Sequence, residues 1–205
     1  KGDCELLEEI GANFIFAPSV EEMYPEPDNR VFEFDGLADV MEGEFRPGHF
    51  NGVAQIVSKL FYAVEPHKAY FGEKDFQQLV IIRLMVKKLQ LPIDIIAVPI
   101  VREESGLALS SRNMRLSDRE RTIAAEIFKT LVRSRALINE KSVAETSSFV
   151  IETINNVDGL SVEYYEIVNG ESLKTVTDWS NADNIVGCIA VFCGEVRLID
   201  NIRYK

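Results

Sequence analysis

Cysteine and histidine are scarce in this chain of 205 residues, which contains three cysteines and two histidines. Cys4, Cys188 and Cys193 are too few and too scattered to form a disulfide framework or a zinc cluster. Their number predicts small core or surface thiols in a protein of a reducing compartment. Cys188 and Cys193 lie five positions apart in one strand-like run, so we expect them to point to opposite faces of a sheet.

Basic residues and long apolar runs are also scarce. The 22 Lys and Arg residues face 33 Asp and Glu residues, which gives a formal net charge of −11. This balance disfavours a nucleic-acid partner, because no basic field exists to displace phosphate counterions. No apolar run approaches the length of a membrane span and no signal peptide is recognisable, so we expect a cytoplasmic protein without a membrane partner.

The composition that remains is that of an ordinary globular protein, with 46% hydrophobic and 27% charged residues. Its length suffices for one large or two small domains. The sequence does not begin with Met, and its first residues, from Lys1 onward, fall in the middle of a helical pattern. We therefore expect that the N-terminal part of a longer protein is missing from it.

The most informative stretch lies between positions 69 and 79. An apolar segment indicates the end of a strand, Gly72 permits a tight turn, and the apolar spacing that follows predicts a helix from about Lys74. In a parallel sheet such a turn lies where ligands bind, and a helix start favours phosphate. Lys74 supplies a cation there, and Asp75 and Gln78 face one side of the first turn. A capped surface turn with a solvated Glu-Lys-Asp run explains the pattern equally well.

Alternating strands and helices surround this stretch in the first half of the chain. Apolar runs predict short strands over 14–17, 31–34 and 92–101, and apolar residues at steps of three and four predict a helix over 50–64. Strand, helix and strand in this order form a parallel crossover. The first half is therefore predicted to be a doubly wound α/β unit, which we take as one domain over 1–105.

The second half predicts a small α+β domain over 106–205. Ser117 and Glu120 form a capping box at the start of a helix that is expected to run to about Ile138, and a second helix follows over 143–154. Strands are predicted over 162–168, 185–192 and 196–203, and the last two are joined closely enough for a hairpin.

The junction of the two domains contains a second polar cluster, Gly106-Leu107-Ala108-Leu109-Ser110-Ser111-Arg112-Asn113. Two hydroxyls followed by a guanidinium can bind several phosphate oxygens. The cluster follows a strand whose carboxyl end lies on the same edge as Gly72, so both clusters are expected to form one site. A polar interdomain hinge is the alternative reading.

Taken together, these stretches resemble the pantoate–β-alanine ligase family. The similar segments are Phe-Gly-Glu-Lys-Asp-Phe-Gln-Gln-Leu from position 71, Val-Pro-Ile-Val-Arg from position 98 and the junction cluster, with further similarity at 46–50 and 198–201. The resemblance implies a Rossmann-like nucleotidyltransferase domain, a smaller C-terminal domain and a homodimer. It also implies that ATP and Mg²⁺ are used to activate pantoate as pantoyl adenylate, which the amine of β-alanine then converts to pantothenate, releasing AMP.

The resemblance also assigns roles to residues. Gln78 would bind pantoate, Val101 would contact the adenine through its backbone, and Lys74 and Arg112 would be the catalytic cations. The residues expected to bind ATP are Gly72, Glu73, Lys74, Asp75, Val101, Leu109, Ser110, Ser111 and Arg112. No residue is assigned to a metal.

One departure from the family pattern concerns a Met-Gly loop with two histidines, which is absent from this sequence. His49 is expected to be a structural turn residue and His67 to have no catalytic role, so neither replaces that pair. The 205 residues alone are therefore expected to be inactive. Two other readings stay open, a related adenylate-forming transferase with a different acceptor pocket and a non-catalytic fragment with a dimerisation or regulatory role.

Overall fold

The computed structural model describes residues 2–205, and seven helices and five strands lie within that range. The helices are α1 Gly2–Glu9, α2 Val20–Met23, α3 Glu42–Phe45, α4 His49–Val64, α5 Phe76–Lys88, α6 Asp118–Ala136 and α7 Val143–Asn155. The strands are β1 Lys68–Gly72, β2 Asp94–Val98, β3 Leu160–Asn169, β4 Ile185–Cys193 and β5 Val196–Arg203. Two short 3₁₀ helices, Glu73–Asp75 and Ser111–Arg115, fall within or overlap the two predicted polar stretches.

Strands β1 and β2 form a parallel pair that is connected through α5, as the strand–helix–strand pattern predicts. Tyr70 is paired with Ile96 near the middle of the ladder. Helix α5 is buried along most of its length, because Leu79, Ile81, Ile82 and Met85 are almost fully excluded from solvent. The parallel pair and its helix fix the position of the turn after Gly72.

The strands predicted over 14–17 and 31–34 are wrong, since neither segment is extended into a ladder in the described part of the chain. Side chains of α4 bind the backbone near the second segment instead: Asn51 accepts from the Phe32 N–H at 2.8 Å, and Gln55 donates to the Arg30 carbonyl at 2.8 Å. A strand requires a neighbouring backbone as partner, and side-chain amides meet that need here. Phe14 is 95% exposed and packs in no core.

The second half of the chain folds as predicted into a sheet and two helices. The sheet is antiparallel with the order β3-β4-β5, and Cys193 pairs with Val196 across the predicted hairpin. Ser117 caps α6, and Glu120 completes the capping box by accepting from the Ser117 N–H at 2.8 Å. The boundary proposed between 105 and 106 stays a prediction.

The antiparallel sheet separates two hydrophobic cores. Cys193 packs with α6 and α7 on one face, whereas Cys188 belongs to the core that contains α5 and the first half of the chain. The odd spacing of these cysteines therefore predicted their opposite orientations correctly. Because one sheet face contacts the first half of the chain, polar residues of β5 can reach the turn that contains Lys74.

Candidate active site

The first arm of the site is the turn between β1 and α5. Backbone torsions at Asp75 (φ −90°, ψ 61°) leave the helical region, so a 3₁₀ turn comes first and the regular helix begins at Phe76, two residues later than predicted. Lys74 is half-buried, and within residues 2–205 its ammonium makes no hydrogen bond or ion pair. This lysine can therefore bind an anion without first breaking a hydrogen bond or an ion pair, although the charge of the buried Asp200 carboxylate also acts on it.

The second arm is the segment that follows β2. The Leu109 N–H donates to the Val101 carbonyl at 2.9 Å, which folds the segment back on itself. The Ser110 hydroxyl accepts from the Arg112 N–H at 3.2 Å and so begins the 3₁₀ turn. The Arg112 guanidinium donates to the Arg197 carbonyl at 3.0 Å. Strand β5 thus fixes the direction in which Arg112 points.

The two arms meet at a pair of adjoining cavities, as the sequence predicted. Lys74 borders both cavities, Ser110 and Arg112 border one of them, and Asp75 and Gln78 border the other. The remaining predicted site residues lie outside the walls of these two cavities: Gly72, Glu73, Val101, Leu109 and Ser111. Val101 and Leu109 are 61% and 50% exposed.

Two residues of β5 complete the site and were not assigned a role from the sequence. The Asp200 carboxylate receives two hydrogen bonds from the Arg102 guanidinium, at 2.7 and 2.9 Å. The Asn201 amide donates to the carbonyls of Glu73 and Lys74, at 2.8 and 3.1 Å. Both side chains are buried. The similar segment at 198–201, which contains both residues, was the available sequence signal.

A second ionic group closes the other side of the site. The Arg197 guanidinium binds Glu42 and Glu163, and the Tyr164 hydroxyl donates to Glu42 at 2.9 Å. Burial by itself raises the pKa of Glu42, but hydrogen bonds and charge from Arg197 outweigh it, and the pKa lies below its usual value. Glu42 is therefore a fixed anion at neutral pH and serves as a structural contact.

His49, interpreted from the sequence as a turn residue, lies in the wall of the cavity that contains Lys74 and Gln78. Its ring packs against Phe50 at the first turn of α4. Burial and the positive charge of Arg46 lower the pKa of His49 below its usual value, so its imidazole is neutral at neutral pH. A neutral imidazole in this wall offers the cavity one donor and one acceptor.

Among residues 2–205, no group of three or more His, Cys, Asp or Glu side chains is arranged to hold a metal ion. No helix in that range is long and apolar enough to span a membrane. The anionic groups in the site walls are mostly engaged, since Glu42 and Asp200 both bind arginine, whereas Asp75 is exposed. The Asp75 carboxylate is therefore available to bind a cation that enters the site together with an anionic ligand.

Comparison with known proteins gives a consistent result. The family model described as pantoate-beta-alanine ligase matches residues 1–203. The chain is 62% identical over 203 residues to the pantothenate synthetase of Bacteroides fragilis (strain YCH46), covering 99% of this chain and 72% of that protein. It is 57% identical over 205 residues to that of Porphyromonas gingivalis (strain ATCC 33277), covering 100% and 73%.

Solved structures of similar proteins share the fold. The crystal structure of pantothenate synthetase from Thermus thermophilus has a TM-score of 0.93 and 43% identity, covering 99% of this chain and 74% of that one. The pantoate-beta-alanine ligase from Francisella tularensis, complexed with beta-gamma ATP and beta-alanine, has a TM-score of 0.78 and 31% identity, covering 99% and 69%.

Proposed function

This chain belongs to the pantoate–β-alanine ligase family, and we propose that its two polar arms bind ATP so that pantoate is activated before it meets β-alanine. The fold is the mixed α/β fold of that family, and the reaction is the joining of pantoate to β-alanine. The observation that carries the proposal is the position of Lys74, which borders both cavities between the arm with Gln78 and the arm with Ser110 and Arg112.

The arm after β2 is proposed to hold the phosphates. Ser110, Ser111 and Arg112 offer two hydroxyls and a guanidinium, a donor set that suits phosphate oxygens. Gly72, Glu73 and Asp75 would contact the rest of the nucleotide from the opposite arm. Val101 would contact the adenine through its backbone, and Leu109 would belong to the phosphate-binding arm with Ser110, Ser111 and Arg112. The Francisella tularensis relative was solved with a form of ATP, which supports a nucleotide as the ligand of this family.

The first step is proposed to form an adenylate. A pantoate carboxylate oxygen attacks the α-phosphorus of ATP, the bond to the bridging oxygen of pyrophosphate breaks, and pyrophosphate leaves. Lys74 stabilises the negative charge that develops on the phosphates, a contribution that needs a fixed cation rather than a base. Gln78, in the same cavity wall, would orient the pantoate carboxylate by hydrogen bonding. Arg112, in the arm that is proposed to hold the phosphates, would stabilise the same charge. Lys74 and Arg112, the two proposed catalytic cations, would therefore both act on the phosphates of ATP and not on pantoate.

The second step joins the two substrates. The amine of β-alanine attacks the pantoyl carbonyl carbon, the bond to the AMP oxygen breaks, and one proton leaves the nitrogen. AMP consequently retains one oxygen atom that began in the carboxylate of pantoate. His49 is neutral at neutral pH and lies in the wall of this cavity, so the wall contains an acceptor that a departing proton could use.

Mg²⁺ fits this site as a companion of the nucleotide. Magnesium usually binds through phosphates, waters and one or two carboxylates rather than through an all-protein cage. Asp75 is the exposed carboxylate beside Lys74 and would hold such an ion, which would neutralise phosphate charge when bound. Because phosphates and waters would provide the other ligands of the ion, one carboxylate from residues 2–205 is enough for this mode of Mg²⁺ binding.

Isotope transfer tests the adenylate. With pantoate labelled by ¹⁸O in its carboxylate, the complete gene product should transfer one label to AMP and none to pyrophosphate. It should also exchange labelled pyrophosphate into ATP when pantoate is present and β-alanine is not. Label in inorganic phosphate, with ADP as product, would indicate an acyl phosphate and overturn the proposal.

We propose further that a polypeptide of residues 1–205 alone is inactive, that the enzyme is a homodimer and that it works in the cytoplasm. The family resemblance supports all three statements. The exposed Phe14 and Phe16 and the two-stranded parallel sheet indicate that this polypeptide leaves apolar surface uncovered. Assaying it beside the complete gene product, with light scattering for mass, tests the first two statements. Equal turnover would contradict the first, and a monomeric mass of the gene product would contradict the second.

A further inference from the structure

The turn that contains Lys74 is held from outside its own domain. The Asn201 side chain, on β5, donates one N–H to the Glu73 carbonyl at 2.8 Å and the other to the Lys74 carbonyl at 3.1 Å. The kink at Asp75 interrupts the helix there, and carbonyls beside such a break need donors from elsewhere. Both amide hydrogens of Asn201 are therefore used on two consecutive residues, one of which is the lysine.

Asn201 is itself held in place by its neighbours. Its backbone lies in the β4–β5 ladder opposite Cys188, and its N–H donates to the Asp200 carboxylate at 2.8 Å. That carboxylate is fixed by two hydrogen bonds from Arg102. Asn201 is 8% exposed, so solvent does not compete for its amide. A rigid sheet residue thus defines where the backbone of the lysine turn can lie.

The Lys74 side chain, unlike that of Asn201, is not fixed by hydrogen bonds. Its ammonium has no hydrogen bond or ion pair within residues 2–205, and the attraction between it and the buried Asp200 carboxylate acts without direct contact, so hydrogen bonds of its side chain do not fix its position. The backbone must then locate it, and the contacts of that backbone with β5 come from Asn201. Misplacement of a catalytic group by about 1 Å can cost on the order of 10²-fold in rate.

We propose that Asn201 is the positioning residue of Lys74, so that the C-terminal domain places the catalytic cation of the other domain. The proposal rests on the proposed role of Lys74 in adenylate formation. It goes beyond that role because it assigns a function to a residue that acts through the lysine rather than on a substrate. It also explains why an asparagine is buried in β5.

The test uses Asn201→Ala and Asn201→Asp in the complete gene product. The second variant keeps the volume of the side chain but replaces the amide donor with a carboxylate oxygen, which also adds a negative charge beside the Glu73 and Lys74 carbonyls. Each is expected to lower kcat for pantoate-dependent pyrophosphate exchange by about 10-fold to 10²-fold, with little change in KM for pantoate. Asn155→Ala is the matched control, because Asn155 bonds one backbone N–H within the same domain, that of Val162, at a distance from the site.

A double-mutant comparison separates positioning from a merely structural role. If Asn201 acts through Lys74, Asn201→Ala should lower the rate little further in a Lys74→Ala background. Equal losses in both backgrounds, or a wild-type kcat in both Asn201 variants, would overturn the inference. If Lys74→Ala itself leaves pyrophosphate exchange unchanged, the proposed function fails instead, and this single variant distinguishes the two failures.

Discussion

Arg197 and Glu42 lie 155 positions apart in the sequence, yet the Arg197 guanidinium donates to both Glu42 oxygens, at 2.9 and 2.6 Å. Both side chains are largely buried. This bidentate contact joins β5 to α3 and so connects the two halves of the chain beside the proposed nucleotide site. Its strength sets how firmly the cavity walls are held together.

Removing the arginine should destabilise the protein strongly. Arg197→Met leaves Glu42 and Glu163 beside one another without their shared cation, and loss of one partner of a buried pair costs about 3 kcal/mol or more. Chemical denaturation measures the change. Arg119→Gln is the control, because the Arg119–Asp158 pair is highly exposed and worth at most about 1 kcal/mol. Equal effects of both substitutions would contradict the assignment.

The same contact should make stability depend on acidity. The folded state lowers the pKa of Glu42 below the usual 4.5, because Arg197 outweighs the effect of burial. A carboxylate with a depressed pKa contributes stability above its unfolded pKa and loses it as pH falls through the folded pKa. The difference in unfolding free energy between wild type and Glu42→Gln should therefore be largest near neutral pH and shrink below about 4.5. A difference that grows on acidification would refute this.

Lys74→Ala should leave the fold intact and cut adenylate formation by about 10²-fold or more, since a lost charge-stabilising contact costs that much. The fold should survive because the ammonium makes no hydrogen bond or ion pair in residues 2–205. Pyrophosphate release and a thermal unfolding curve measure the two effects. Lys129→Ala, on the exposed face of α6, is the control. Near-normal pyrophosphate release by Lys74→Ala would disprove the role.

The segment from Ser110 to Arg112 should be mobile without nucleotide and ordered with it. The segment follows Gly106, whose positive φ of 92° marks a turn that can act as a hinge, and lids of this kind close on a ligand. Trypsin cleavage after Arg112 should slow when saturating ATP is added. A cleavage rate that is indifferent to ATP would show that the segment is not a lid.

The C-terminal core should determine stability without affecting substrate choice. Ile127, Leu131, Ile189 and Leu198 are buried there as the sequence predicted, while Ile123 and Ile151 are only partly buried. Leu131→Ala should cost about 2–5 kcal/mol. Val132→Ala, one position along on the exposed side of α6, should cost within about 0.5 kcal/mol. A changed substrate preference with unchanged stability in Leu131→Ala would argue against this assignment.

Features that depend on neighbouring residues were predicted well from the sequence. Ser117 and Glu120 are three positions apart, and the reciprocal hydrogen bonds of the capping box form within one helical turn. The hairpin after Cys193 follows from its short connection, and the opposite orientations of Cys188 and Cys193 follow from the period of a strand. Gly72, Lys74 and Arg112 were identified by local motifs, and the structure brings Lys74 and Arg112 to one cavity.

Features that need a distant partner were predicted poorly. The segments 14–17 and 31–34 have the composition of strands, but composition does not supply a neighbouring backbone, and α4 side chains bind near the second segment. Similarly, the helical pattern extends through Lys74, although the backbone bends at Asp75. Local propensity is overridden where tertiary contacts satisfy the backbone in another way.

By itself, the sequence determined which residues are candidates for binding phosphate, because a lysine after a glycine turn and a Ser-Ser-Arg run carry hydrogen-bond donors in any fold. Only the tertiary structure decided which distant residues fix the backbone and the walls of the site around these candidates. Asn201 reaches the Lys74 carbonyl across 127 positions, and Arg197 reaches Glu42 across 155. Such contacts arise when one face of the antiparallel sheet packs on the core around α5. Spacing along a chain encodes the neighbours within an element, whereas the packing of one element on another selects these partners.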